Sequence, residues 1–437
     1  MYILLSLSIA MFAGLMMSRV TKIWNLPAVT AYLVAGILIG PFCLGRLGIQ
    51  GLGFVSAQDV SGYTLISNVA LGFIAIAMGN EFRIKDLKQI GRQAVVIAIF
   101  QAITATVAVD AALIGLHYLM PDKLPIDCAI TLGAIATATA PAATLMVVKQ
   151  YKAEGPLTKM LLPVVALDDV VGLVVFSVSF GIARALLSGS VDIFSVLVDP
   201  LIEVVGSLIL GGLLGLAFNY SEQFFHSRSK RMSISVCFVF LAVALSMLKF
   251  KIGPVTIGFS SLLVCMMLGT VFCNLCDFSE ELMERMDRWT GPIMVLFFVL
   301  SGAGLELSVF GDWHIVVAGA VFIVFRSIGK IVGANISAKM THCEPSIQKY
   351  LGITLLPQAG VSLGMSLTAL EVLTALGYSE SGSIIRNIAL FAVLVYELVG
   401  PLLTKIALDK AGEIKEKPIP PRMQAKLDAE KNALESK

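Results

Sequence analysis

Thirteen apolar runs follow one another along this chain, at about 1–20, 26–41, 63–80, 93–119, 126–149, 156–187, 193–219, 232–248, 254–273, 290–307, 313–338, 347–371 and 383–407. A run of about 20 apolar residues, coiled as a helix, matches the hydrocarbon thickness of a bilayer. Backbone in lipid must satisfy its hydrogen bonds within the protein, which favours helices for segments of this kind. The pattern predicts an all-α polytopic membrane protein with 13 transmembrane helices. Only 14% of residues are charged and the mean hydropathy is +0.87, against about 25% charged in soluble domains. A net charge of +2 gives no reason to expect a nucleic-acid partner, and no soluble protein partner is evident. The first run lacks the basic start and small-residue cleavage site of a signal peptide and reads as a retained helix. The tail after about 408 is charged and holds Pro418, Pro420 and Pro421, and is expected to be cytosolic.

Basic residues set the orientation. Counted together with the run ends beside them, connections after odd-numbered runs hold sixteen Lys and Arg, those after even-numbered runs hold six, and the tail from Lys405 holds eight. Basic residues stay in the cytoplasm, so the N-terminus is expected outside and the C-terminus inside a cell (inner) membrane.

A weak internal repeat runs through the chain. PAVT at Pro27–Thr30 recurs as PVT at Pro254–Thr256, GNEFRI around Glu81 as GLELSV around Glu306, and DVVG at Asp169–Gly172 as ELVG at Glu397–Gly400. The offsets pair runs two to six with nine to thirteen. Matched runs lie seven apart, an odd number, so the two copies cross the membrane in opposite senses. Inverted repeats of this kind are a signature of secondary transporters.

Charges inside apolar runs are costly, at least about 2.5–3.5 kcal/mol each at the bilayer centre. Run six holds Asp168 and Asp169 in LLPVVALDDVVGLVVF, run eleven holds Arg326 and Lys330 in FIVFRSIGKIVG, and run thirteen holds Glu397. Adjacent carboxylates repel unless a proton or a cation joins them. They project about 100° apart on a helix, so one can face a water-filled cavity and the other a partner helix. Carboxylate oxygens suit a proton or a hard cation such as Na⁺. Competition for one site that opens alternately to the two sides suffices for exchange. For Arg326 and Glu397, structural ion pairing is an equal reading. Run five carries Pro141 and three threonines in TATAPAAT, residues 137–144, and run twelve carries Pro357, Gln358, Gly360 and Gly364 in LLPQAGVSLGMS. A proline within a helix removes a hydrogen bond and frees carbonyls. Two broken helices at matched repeat positions point to a midplane site.

The stretches ATATAPAATLMVVKQYKAEGP, LLPVVALDDVVG, NVALGFIAIAMGNEF and FFVLSGAGLEL resemble the monovalent cation:proton antiporter superfamily, second branch, over about residues 1–407. The resemblance implies inverted five-helix repeats with two crossed broken helices. It implies a dimerisation domain at 1–92 and 223–311, a core transport domain at 93–190 and 312–410, a linker helix at 191–222, a tail at 411–437, and an elevator-like movement of the core in a homodimer. The Asp-Asp type resembles the electrogenic Na⁺/H⁺ exchangers. By that likeness Asp169 is the principal ion ligand and Asp168 the second acid, paired with Lys330 or, as the alternative, Arg326. Thr137 and Thr139 are then polar contacts at the crossing. No cofactor is expected; the transported species are Na⁺ or Li⁺, with K⁺ open, against H⁺.

Other readings compete. A Na⁺-coupled symporter of organic anions needs a substrate pocket besides the ion site. An intramembrane aspartyl protease needs two aspartates converging from separate helices, which Asp168 and Asp169 cannot do, so an enzyme is not expected. A channel needs no inverted repeat. Cys273 and Cys276 have a metal-like spacing without a second pair, and are read as reduced thiols. His117, His226, His314 and His342 lie near run ends, where surface positions are common. Asp110 in run four is a half-buried acid without an assigned role.

Overall fold

The computed structural model describes residues 2–414 except 25, 50–52, 57–58, 61, 81, 122, 189–192, 226, 249, 253–254, 277 and 306–310. Glu81, Pro254 and Glu306 of the repeat therefore lie outside the described residues, as do His226 and the prolines of the tail.

The described residues form fifteen α-helices of ten residues or more. They are α1 (Tyr2–Thr21), α2 (Ala28–Ile39), α3 (Thr64–Asn80), α4 (Ile84–Leu119), α5 (Ile126–Ile135), α6 (Pro141–Tyr151), α7 (Pro156–Ser188) and α8 (Ile193–Glu222). Then come α9 (Arg228–Ser246), α10 (Ser261–Leu275), α11 (Ser279–Ala303), α12 (Trp313–Met340), α13 (Pro345–Thr354), α14 (Gly360–Ala375) and α15 (Ser379–Lys410). Among the described residues, eight spans are long and apolar enough to cross a membrane, and four further helices are apolar but shorter. The apolar runs and the helices differ in number because two runs are each split. Run five becomes α5 and α6, and run twelve becomes α13 and α14.

The splits do not arise from a proline inside a helix. Pro141 occupies the first turn of α6, where its missing N–H was never needed and its fixed φ suits the start of a helix. The backbone has already left helical geometry at 137–140. Pro357 lies inside the second break, at 356–359. A second difference concerns run nine. Residues 250–252 and 255–257 pair as a short antiparallel hairpin, Phe250 opposite Ile257, and α10 starts only at Ser261.

Packing sorts the helices into two groups. In one, α4 lies along α12, α5 and α7 pack together, and α14 and α13 pack on α15. In the other, α2 lies along α11 and α1, and α3 along α10. Helix α8 touches both groups through α7 and α10. The α4–α12 contact depends on two glycines. A Cβ on Gly329 would stand 2.7 Å from the Ala105 Cα, and one on Gly333 would stand 2.8 Å from the Gln101 Cα. Small residues spaced by three let helices approach backbone to backbone in lipid.

A few polar contacts tie the seam between the groups. Lys149 of α6 pairs with Asp287 of α11 at 2.6 Å. The Ala28 N–H donates to Gln150 Oε1 at 2.8 Å, and the Ser301 hydroxyl donates to Glu397 at 3.0 Å. At the end of α15 the chain turns back on α7. The Glu413 carboxylate accepts from the N–H groups of Leu157 and Thr158 at 2.6 and 2.8 Å, and from the Thr158 hydroxyl at 2.7 Å. A remote carboxylate thus caps the helix that carries Asp168 and Asp169, where the first N–H groups lack helical partners.

Candidate ion site at the crossing of two broken helices

The two breaks lie against each other. The Ala140 N–H donates to the Pro357 carbonyl at 2.8 Å. Gln358 Nε2 donates to the Ile135 carbonyl at 3.0 Å. Helices α5 and α13 both end at the crossing with carbonyls that have no next turn to accept from, and helix C-termini carry partial negative charge.

Two cations from α12 meet those carbonyls, and they have different partners. Arg326 Nε donates to the Ala136 carbonyl at 2.9 Å, Nη1 to the Leu356 carbonyl at 2.9 Å, and Nη2 to the Ala138 carbonyl at 2.6 Å. Its guanidinium also lies 4.5 Å from the Tyr396 ring centre. One residue thereby joins both broken helices, a task suited to five fixed donors. Lys330, one turn later, donates to the Thr137 carbonyl, to Thr139 Oγ1 at 2.9 Å and to Asp168 Oδ2 at 2.7 Å. All three ammonium protons are thus used. Asp168 therefore meets Lys330 and has no ion pair with Arg326.

Asp168 is closed on every side. Besides Lys330, Thr139 Oγ1 lies 2.5 Å from Oδ2, and Gln101 Nε2 lies 2.5 Å from Oδ1. Lys330, Asp168, Gln101 and Arg326 are all 0% exposed. Asp169 is its opposite. It is 3% exposed, and neither carboxylate oxygen has a hydrogen-bond partner among the described residues. A buried carboxylate without partners is costly; a proton or a bound cation removes that cost.

The matched acid of the second half, Glu397, is also buried but accepts both 3.0 and 3.3 Å contacts from the Ser301 hydroxyl. Each acid is followed three residues later by a glycine packed on the break of its own half. A Cβ on Gly172 would stand 3.0 Å from Thr137 Oγ1, and one on Gly400 would stand 2.9 Å from the Pro357 Cα. The structure thus brings Asp168, Lys330, Thr137, Thr139, Arg326 and Gln358 into one network through the breaks bounded by Pro141 and Pro357. Glu397 is outside that network of hydrogen bonds. Asp110 is likewise elsewhere, with its carboxylate where a Gly133 side chain would be.

Gln101 is the member that sequence reasoning missed. Its amide stands in an apolar stretch of α4, 67 residues before Asp168. The readable signal was the pair Gly329 and Gly333 flanking Lys330, which marks a face of α12 that admits another backbone.

Comparison with known proteins places these features. A family model described as sodium/hydrogen exchanger, transmembrane, matches residues 7–416. The high-affinity Na⁺/H⁺ antiporter NhaS3 of Synechocystis sp. PCC 6803 is 23% identical over 397 residues, covering 83% of this chain and 81% of that protein. The fold is shared with the sodium proton antiporter MjNhaP1 of Methanocaldococcus jannaschii. Its structure at pH 8 superposes with a TM-score of 0.69 at 17% identity, covering 95% of this chain and 100% of that one. An electron-microscopy structure of the same protein gives 0.71 at 18% identity, covering 94% and 98%.

Proposed function

The chain belongs to the sodium/hydrogen exchanger family, and from that premise we propose that it is a secondary-active antiporter in which a proton and a Na⁺ or Li⁺ ion compete for Asp169. The observation that carries this reading is the contrast between neighbours: among the described residues Asp168 has three donors and Asp169 has none. An ionised Asp169 needs a countercharge that the described residues do not supply by hydrogen bond or ion pair, and a hard cation with oxygen preference or a proton meets that need. The two cannot bind together, so crossing with one and returning with the other gives exchange.

Charge bookkeeping extends the proposal. A cation arriving at Asp169 repels the Lys330 ammonium and competes for Asp168. Release of the Lys330 proton along with that of Asp169 gives two protons per cation, an electrogenic cycle of the Asp-Asp type. The core helices α4–α7 and α12–α15 would carry the site past a stationary group built from α1–α3 and α9–α11, in a homodimer. The small number of polar contacts at the seam supports such sliding. K⁺ in place of Na⁺ is the alternative for the same site.

Full-length protein in proteoliposomes with an internal pH dye tests this. Addition of Na⁺, Li⁺ and K⁺ in turn, without organic solute, should move protons for the transported ions, and Asp169→Asn should abolish the signal. Exchange that survives in Asp169→Asn overturns the assignment. Exchange indifferent to membrane potential overturns the two-proton cycle, and a requirement for an organic anion would favour symport.

A further inference from the structure

Gln101 is buried at the centre of the core, yet neither charge nor the broken helices explain it. Its Nε2 divides two protons between the Ala98 carbonyl at 2.9 Å, on its own helix, and Asp168 Oδ1 at 2.5 Å. Its Oε1 has no hydrogen-bond partner among the described residues. Burying an unpaired amide oxygen is unfavourable, so an apolar residue of the same length would suit packing better. The amide is kept where α12 has been thinned to receive it: the Gly333 Cα hydrogen faces the Gln101 Cα. Bulk at position 333 would push α4 away and pull Nε2 off Asp168.

We propose that Gln101 is a positioning residue of the exchange cycle, holding Asp168 in its ion pair with Lys330 and thereby setting how readily a proton or an arriving cation draws Asp168 out of it. This rests on the reading of Asp169 as the exchange site. Among the described residues three donors fix Asp168: Lys330 and Thr139 hold Oδ2, and Gln101 alone holds Oδ1. Of the three, Lys330 is the charge that changes in the cycle, and Thr139 belongs to the break. Gln101 stands on a different helix from both and gives the pair a fixed reference. The ionisable groups against the pair are few. Lys330 comes from α12 and Asp169 from α7 itself. Arg326 of α12 is held by three carbonyls. From α4, Asp110 lies nine residues beyond Gln101 and His117 is bonded to the Leu124 carbonyl. From α5, Asp127 is buried in the first turn, at the far end of that helix.

Gln101→Met keeps the length of the side chain and removes the donor. Without it Asp168 is anchored at Oδ2 alone among the described residues. The expected result in proteoliposomes is a pH profile displaced from that of the wild type, because the pair that an arriving cation must disturb is no longer held from α4. The apparent KM for the cation should change several-fold, and by more than the maximal rate does. Gln101→Glu, with the same shape and a like charge facing Asp168, should displace the profile further in the same direction, and serves if Met fails to fold. A folded Met or Glu variant with the wild-type pH profile and KM overturns the proposal. A uniform fall in maximal rate with an unshifted profile also overturns it, since that marks a packing role. Asp169→Asn run in parallel separates the two readings. If it still exchanges, the site assignment fails; if it is dead while the Gln101 variants are unshifted, only the role of Gln101 fails.

Discussion

Removing the Lys330 ammonium is the sharpest perturbation that the ion pair permits. Lys330→Met preserves the length of the side chain, takes a donor from the Thr139 hydroxyl oxygen and the Thr137 carbonyl, and leaves Asp168 Oδ2 with the Thr139 hydroxyl as its one donor among the described residues. Breaking a fully buried pair by deleting one partner costs about 3–5 kcal/mol, because the survivor is an uncompensated charge. Gln101 and Thr139 still donate to Asp168, so the lower end, about 3 kcal/mol, applies. With an unfolding entropy of about 2.1 cal/mol/K per residue, a 437-residue chain moves by roughly 1 °C per kcal/mol. The melting temperature in detergent should therefore fall by roughly 3 °C. Lys330→Met with Asp168→Asn replaces the orphaned charge by an amide that Gln101 and Thr139 can still meet. That double variant should recover about 2 kcal/mol of the loss, the signature of two residues in direct contact. A single variant as stable as the wild type at every pH, or a double variant whose loss is the sum of the two singles, refutes the pairing on which the charge bookkeeping depends.

Other perturbations test separate parts of the assembly. Arg326→Lys keeps the charge but cannot reach three carbonyls on two chain breaks, and should cost about 1–3 kcal/mol of stability in detergent melting; an unchanged melt would mean that the carbonyls at Ala136, Ala138 and Leu356 find other donors. Glu413→Ala removes the cap on α7 and should lower stability by about 1–2 kcal/mol, with Glu413→Gln losing less because one acceptor oxygen remains. Gly333→Leu, which drives a side chain into the Gln101 backbone, should sharply reduce the monodisperse fraction in size-exclusion chromatography, whereas Gly364→Ala, which meets nothing within 4 Å, should leave it unaltered.

Charge in an apolar run is the most legible signal that a membrane chain carries, since lipid makes it expensive. Asp168, Asp169, Arg326, Lys330 and Glu397 all stand out on that ground, and all five are buried. Two features were legible only in outline. Pro141 and Pro357 mark the breaks, yet Pro141 starts α6 and does not interrupt a helix, and a proline in sequence does not say which. Arg326 and Lys330 stand one turn apart on a shared face, so the sequence offers Lys330 as the partner of Asp168 with Arg326 as the alternative, and the carbonyl ends of α5 and α13 separate the two. An arginine fork fits scattered carbonyls; a lysine point charge fits one carboxylate. Gln101 and the cap by Glu413 were not legible. Each depends on a contact across the fold, over 67 and about 255 residues, and an uncharged amide or a single acid near a helix end is too common to single out. The hairpin at 250–257 was hidden inside an apolar run because hydropathy alone does not separate a short strand from a helix.

Adjacent aspartates look redundant in sequence, yet their surroundings at the crossing differ. A carboxylate that the protein itself satisfies can stay charged without any visitor; Asp168, with a lysine, a hydroxyl and an amide against it, is such a group. A carboxylate that the protein leaves bare must borrow its countercharge; on the proposed cycle Asp169, with no hydrogen-bond partner among the described residues, is such a group. Were both satisfied, nothing mobile would be needed and the pair would be inert. Were both bare, two like charges would lie in the same low-dielectric space, and at least one would be held as the acid, blunting the competition on which exchange depends. One fixed and one open carboxylate avoids both outcomes. It also links them, because whatever binds the open one changes the field at the Lys330 ammonium that holds the other. On the proposed cycle the second acid is therefore a charge balance for the first, and its three donors set the point at which that balance tips.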